Sequence, residues 1–277
     1  MKNHLLSFGH GYSARAFAAK LNPDEWEVTG TSRAGGEDTI AWPESDISPL
    51  LETVSHVLVS IAPNEDGDIV LQHLAPQIAQ IAPQLKWVGY LSTTGVYGDH
   101  NGGWVDEDTP LTPSTKRGEM RVKAEAQWQA LAKQCDLPLH IFRLAGIYGP
   151  GRGPFSKVRA GTARRILKEG QVFSRIHVAD IAQTLSASVN APSAGAIYNL
   201  CDDDPAPPED VIAYAANLLG LPIPPAENYE TAEMTPMARS FYAESKRVRN
   251  DKIKKDLGVR LTYPTYKAGL KALLEAE

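Results

Sequence analysis

The stretch Gly9-His10-Gly11-Tyr12-Ser13-Ala14 constrains this chain more than any other. It follows directly on a strand-like apolar run, residues 3–8, and opens a segment of helical spacing, 12–21, with apolar positions at Phe17, Ala18 and Leu21. Gly9 permits a tight turn, Gly11 lets a ligand come close to the main chain, and Ala14 is small enough for the helix to pack against the strand. A turn of this kind sets the free N–H groups of a helix N-terminus beside an anion, the arrangement that receives a pyrophosphate. The pattern predicts dinucleotide binding at Gly9, Gly11, Tyr12, Ser13 and Ala14, against an ordinary β–α turn as the plain alternative.

Further strand-like runs fall at 26–31, 56–61, 86–92 and 139–144, and a long helix is expected from Lys116 to Cys135, stopped near Pro138. Strands alternating with helices predict an α/β, Rossmann-type, doubly wound parallel sheet with helices on both faces. The character changes after about residue 150, where Pro150-Gly151-Arg152-Gly153-Pro154 reads as a loop. Residues 202–208 read as a second break, followed by a helix capped by Asp204 or a neighbour and reaching Leu219. The basic run from Lys246 to Lys255 reads as a solvated helix face.

Composition narrows the classes. In 277 residues, 28 basic and 33 acidic side chains give a net charge of −5, which offers no overall attraction to a nucleic-acid backbone or an anionic membrane. Two cysteines make no disulfide scaffold. The amino-terminal apolar stretch is shorter than a signal peptide needs, and no run approaches the ~20 apolar residues of a membrane span. The expectation is a cytoplasmic protein with a small-molecule substrate, no nucleic acid and no membrane. The histidines and cysteines show no metal-ligand spacing, so no metal is expected.

The end of the second strand bears on coenzyme choice. An acidic residue there accepts from the adenosine 2′-hydroxyl and favours NAD. Here the sequence is Gly30-Thr31-Ser32-Arg33, without an acid. Arginine can pair with a 2′-phosphate through two parallel bonds, and Ser32 can add a third, so NADP is expected over NAD. Arg15 is a further cation near the loop, and Asp46 is placed where it can reach adenine.

Ser92-Thr93-Thr94-Gly95-Val96-Tyr97-Gly98 resembles a signature of the extended short-chain dehydrogenase/reductase family, the NAD(P)-dependent epimerases and dehydratases. Residues 143–152, the run Arg175-Ile176-His177-Val178-Ala179-Asp180, and Ala196-Ile197-Tyr198-Asn199-Leu200 resemble three more of its segments in the same order. The resemblance implies an interrupted architecture, with a dinucleotide domain at 1–155 plus 174–200 and a small substrate lobe at 156–173 plus 201–277. Ile61, Ala62, Leu144 and Ile147 complete the expected coenzyme contacts.

The resemblance also implies a catalytic Tyr-x-x-x-Lys pair on the long helix, and here the pattern breaks. Lys123 matches the lysine, but Glu119 stands four residues earlier in place of tyrosine. The plain reading of Glu119 and Lys123 is a helical ion pair. Thr93 matches the hydroxyl that polarises the substrate, Lys123 the ribose-orienting cation, and Glu119, Tyr97 or solvent is left to carry the proton. Tyr242-x-x-x-Lys246 and Tyr263-x-x-x-Lys267 match the spacing by chance, and His177 reads as a buried structural residue. Family members that take nucleotide sugars carry a diphosphate-binding arginine where this chain has Phe173; the nearest is Arg175. The leading expectation is therefore an atypical NADP(H)-binding oxidoreductase or epimerase acting on a small or sugar-like substrate. A non-catalytic NADP(H)-binding sensor or partner protein is the alternative. Met120, Trp128 and Leu131 on the long helix suggest a homodimer.

Overall fold

In the computed structural model, which describes residues 2–277 apart from the side chain of Met237, seven strands form one parallel sheet. They are β1 (Asn3–Phe8), β2 (Trp26–Ser32), β3 (Thr39–Ala41), β4 (His56–Val59), β5 (Trp87–Thr93), β6 (Leu139–Leu144) and β7 (Ile197–Leu200), in the spatial order β7-β6-β5-β4-β1-β2-β3. The longer helices that cover it are α1 (Tyr12–Ala18), α2 (Ile69–Ile81), α3 (Lys116–Cys135) and α4 (Val178–Asn190).

The two-residue period of the strands divides the core into two layers. Leu6 and Phe8 of β1, Val88 and Tyr90 of β5, and Leu139 and Ile141 of β6 face one way, onto Leu74, Ile78, Ala124 and Trp128 of α2 and α3. Leu5, Trp87, Leu91, Phe142 and Leu144 face the other way, onto Ala14 and Phe17 of α1 and Ile181 and Leu185 of α4. Helix α3 begins where the Thr115 hydroxyl accepts from the Gly118 N–H at 3.2 Å, and ends where Asp136 takes a left-handed conformation, φ 54°. Its Trp128 and Leu131 are core residues rather than an outward apolar face, which removes the sequence argument for dimerisation there.

A second core, with Tyr148, Phe155, Val158, Val211, Ala215, Tyr266 and Leu270, is separate from the two sheet layers. Residues 247–261 return to the sheet. Arg247–Val248 pairs in parallel with Trp104–Val105, and Ile253 and Val259 pack with Leu5, Phe142 and Tyr198. Both carboxylate oxygens of Asp180 accept main-chain N–H groups just beyond this stretch, from Thr262 at 2.7 Å and Tyr263 at 3.0 Å.

Two local expectations need correction. The helix Pro208–Leu218 starts after Pro207 without a side-chain cap, so Asp204 does not cap it. Lys246 is buried rather than solvated: its ammonium donates to the Gly98 carbonyl and to Glu244, both at 2.6 Å, and only Asp251–Leu257 of the basic run is helical. Among the described residues no helix is long and apolar enough to cross a membrane.

Candidate functional site

The strand order reverses between β1 and β4, and in open parallel sheets the crevice at the carboxyl ends of such neighbours is where ligands settle. Gly9 leaves β1 there with φ +78°, and a Cβ on it would stand 2.9 Å from Ile61 Cγ1 and 3.1 Å from Ile61 N. Only glycine fits that turn. Gly11 begins α1 with no side-chain cap, and a Cβ there would meet nothing closer than 3.8 Å. Open space thus lies over an uncapped helix start, the cradle that a diphosphate requires. Tyr12 is half-buried, and Ser13 and Ala14 are buried on the sheet side.

The His10 ring lies on Gly30 of β2, where a Cβ would come within 2.6 Å of it, and its buried Nδ1 has no partner among the described residues. Burial and the neighbouring Arg15 hold its pKa below the ordinary histidine value. Arg15 donates from Nε to the His10 carbonyl at 3.0 Å and forms a two-pronged pair with Asp38. Asp38, six residues beyond the end of β2, is therefore already matched by a cation. Ser32 Oγ and Thr39 Oγ1 lie 3.0 Å apart, and Arg33 is exposed with no ion pair among the described residues. Asp46 is exposed and accepts from the Ser48 N–H at 2.9 Å. Ile61 is half-buried, Ala62 exposed, Leu144 buried and Ile147 half-buried.

At the end of β5, Thr93 Oγ1 accepts from the Gly95 N–H at 3.2 Å. That bond uses a lone pair and leaves the hydroxyl hydrogen available to a substrate oxygen. Gly118 lets α3 approach this turn: a Cβ on it would be 2.8 Å from the Gly95 carbonyl oxygen. Tyr97 is ruled out as the proton carrier. It is fully buried, its hydroxyl donates to Asn199 at 2.7 Å and accepts from Arg143 at 2.9 Å, and burial pushes the phenol up to about 12.

Glu119 and Lys123 do not form the expected helical ion pair. Both are exposed, and Lys123 Nζ donates instead to the Glu65 carbonyl at 2.8 Å. The α3 cation that reaches the strand ends is Arg121. Its Nη1 donates to the Tyr90 hydroxyl and the Leu91 carbonyl, each at 2.9 Å, and to the Ile61 carbonyl at 3.5 Å. Ile61 is also the residue against Gly9, so this guanidinium stands one residue from the glycine turn. No carboxylate pairs with it among the described residues. The signal that marks it is the buried stripe Ala124, Glu125 and Trp128, which lies three, four and seven residues beyond position 121 and so shares its face.

Arg175 is not available to a ligand: its Nη1 donates to the Phe173 carbonyl at 2.9 Å and the Ala206 carbonyl at 3.0 Å. His177 is buried as expected. Its Nδ1 accepts the Ala179 N–H at 3.1 Å at the start of α4, and its Nε2 has no partner among the described residues.

Residues 54–201 match the model of the NAD dependent epimerase/dehydratase family. The chain belongs to this family. A conserved protein of unknown function from Silicibacter pomeroyi DSS is 59% identical over the whole of both chains, with a TM-score of 0.92. Protein YeeZ of Escherichia coli (strain K12) is 28% identical over 243 residues, covering 79% of this chain and 85% of that one. The 3-diazoavenalumate denitrifying reductase of a Streptomyces species is 29% identical over 181 residues, covering 60% and 58%. In this NAD(P)-dependent family the residues around Gly9 and Gly11 fit a dinucleotide: a turn without room for a Cβ, an open approach, and an unpartnered His10 nitrogen beside it.

Proposed function

We propose that the protein binds NADP(H) and acts as an oxidoreductase or epimerase on a small or sugar-like substrate. The observation that carries the coenzyme preference is the acid-free end of β2, where Ser32 and the unpaired Arg33 remain while Asp38 is matched by Arg15. When bound, the coenzyme supplies or accepts a hydride. Gly9 and Gly11 receive its diphosphate, Ser32 and Arg33 its 2′-phosphate, and Arg121, rather than Lys123, its ribose at the nicotinamide end. Thr93 donates its free hydroxyl hydrogen to the substrate oxygen. Glu119, being exposed, is left to carry a proton only through intervening water. A reductase among the relatives is consistent with this chemistry.

One observation favours the non-catalytic reading: of the two side chains left to carry the proton, Tyr97 is fully buried with its hydroxyl bonded on both sides, and Glu119 is exposed. Fluorescence titration with NADPH and NADH on wild type and Arg33→Ala tests the coenzyme assignment. NADPH should bind about tenfold or more tighter than NADH, since charge-assisted bonds to a phosphate contribute ~1.5–3 kcal/mol. Arg33→Ala should erase most of that preference. Equal affinities in wild type overturn the NADP assignment. A carbonyl screen following NADPH oxidation then separates enzyme from sensor. Thr93→Val should lower turnover about a hundredfold, the usual effect of losing a donor to a developing oxyanion. Tight NADPH binding with no turnover on any carbonyl identifies the sensor.

A further inference from the structure

The loop that follows the 146–148 strand is fastened to the glycine turn. Gly149 and Arg152 exchange two main-chain hydrogen bonds, each 2.9 Å, closing a four-residue turn. Tyr12, the first residue of α1, donates its hydroxyl to the Pro150 carbonyl at 3.0 Å. The approach is close: a Cβ on Gly149, at φ +153°, would be 2.5 Å from the Tyr12 hydroxyl oxygen. On this strap the Arg152 guanidinium lies over the Tyr12 ring, 5.8 Å from its centroid; burial raises the phenol's pKa and Arg152 only partly opposes this. Among the described residues no carboxylate pairs with Arg152.

A diphosphate at the glycine turn brings two negative charges, and the turn itself offers only N–H groups. Arg15, the cation on α1, is committed to Asp38. The cation that remains on the same helix start, held there by a ring and a closed turn, is Arg152. We propose that Arg152 is a ligand of the coenzyme diphosphate and that Tyr12 is the positioning residue that fixes it over the glycine turn. The strap comes from the side of β6 and the small lobe, so its target is the phosphate nearer the nicotinamide. This inference rests on the dinucleotide reading above.

Three probes separate the possibilities by calorimetry or fluorescence: NADPH, 2′-phospho-ADP-ribose, which keeps the diphosphate and lacks nicotinamide, and 2′,5′-ADP, which lacks the diphosphate. Arg152→Met should weaken the first two about tenfold and leave 2′,5′-ADP within about twofold. Arg152→Lys should recover part of the loss, since a point charge replaces the fork. Tyr12→Phe keeps the ring and loses the bond to Pro150, and should weaken NADPH less than Arg152→Met does. Unchanged binding of all three probes to Arg152→Met overturns the proposal, as does equal weakening of all three, or weakening of NADPH alone. Wild type that binds none of them overturns the dinucleotide reading itself. Arg33→Ala, by contrast, should weaken all three probes.

Discussion

Replacing Glu125 with alanine should cost about 3–5 kcal/mol of stability, the expected penalty for leaving one partner of a buried ion pair behind. The pair is as enclosed as any in the fold: side-chain exposure is 2% for Glu125 and 3% for Arg143. Arg143 Nη2 meets Glu125 Oε2 at 2.8 Å, Arg143 Nε lies 3.2 and 3.3 Å from the two carboxylate oxygens, and Ser92 Oγ donates to Oε1 at 2.5 Å. Without Glu125 the guanidinium keeps only neutral partners, the Tyr97 hydroxyl and the Glu107 carbonyl. For a chain of this size the loss corresponds to a Tm lower by roughly 10 °C. Glu125→Gln retains a hydrogen-bonding end group and should lose less. Urea unfolding at pH 7 measures both, and a loss below about 1 kcal/mol for the alanine variant would falsify the assignment of this pair as a main anchor. The consequence reaches the site, because Ser92 directly precedes Thr93.

Stability should also fall in mild acid. Burial pushes the pKa of His56, His140 and His177 down to about 4, with Lys86 adding to the effect at His56. Protonation is opposed by geometry as well: His140 Nε2 accepts the Ser193 N–H at 2.8 Å, and His177 Nδ1 accepts that of Ala179. An imidazolium has no lone pair for either bond. In the unfolded chain these rings titrate near 6.5, so below that pH the unfolded state takes up protons that the folded state refuses until about 4. Stability is therefore full above about 6.5 and is lost as pH falls through this window. At pH 5 the loss is about 2 kcal/mol per histidine. Asp202 acts oppositely. It is 1% exposed with Oδ2 unpartnered, and burial raises its pKa to about 8, so its protonation favours the folded state as pH drops from 8. That offsets roughly half of the effect of these three histidines between pH 7 and 5. Asp202→Asn should be more stable than wild type at pH 7 and should lose about twice as much on acidification. Denaturant midpoints that stay level from pH 7 to 5 in both proteins contradict this.

The features legible in the sequence are those written in a short window. Strand 3–8, helix 116–135 and strand 139–144 lie where the apolar runs and Pro138 put them. Helix α2 is hidden in the sequence because Pro76 interrupts its pattern, although Asp68 caps it with a 3.1 Å bond from the Leu71 N–H. Strand β3 is three residues long and exists through its pairing with β2. The glycine turn was readable because its chemistry is backbone chemistry. The cation of α3 was not, since a two-residue shift from Lys123 to Arg121 turns a side chain by more than half the helix circumference, and only packing on the sheet decides which side is inward. Lys246 shows the same limit: a run of charges gives no hint that one of them ends on the Gly98 carbonyl.

The return of residues 247–261 to the sheet domain has a consequence for synthesis and for engineering. All seven strands of the sheet have emerged once Leu200 is made, yet the layer beneath β6 and β7 still lacks Ile253 and Val259. A ribosome-bound chain must hold that apolar underside open until nearly the whole protein has been translated, and a fragment cut after Leu200 keeps it open for good. The seven-stranded sheet is thus not a module that can be excised, swapped or fused at its last strand; a transplantable unit has to carry the distal staple with it.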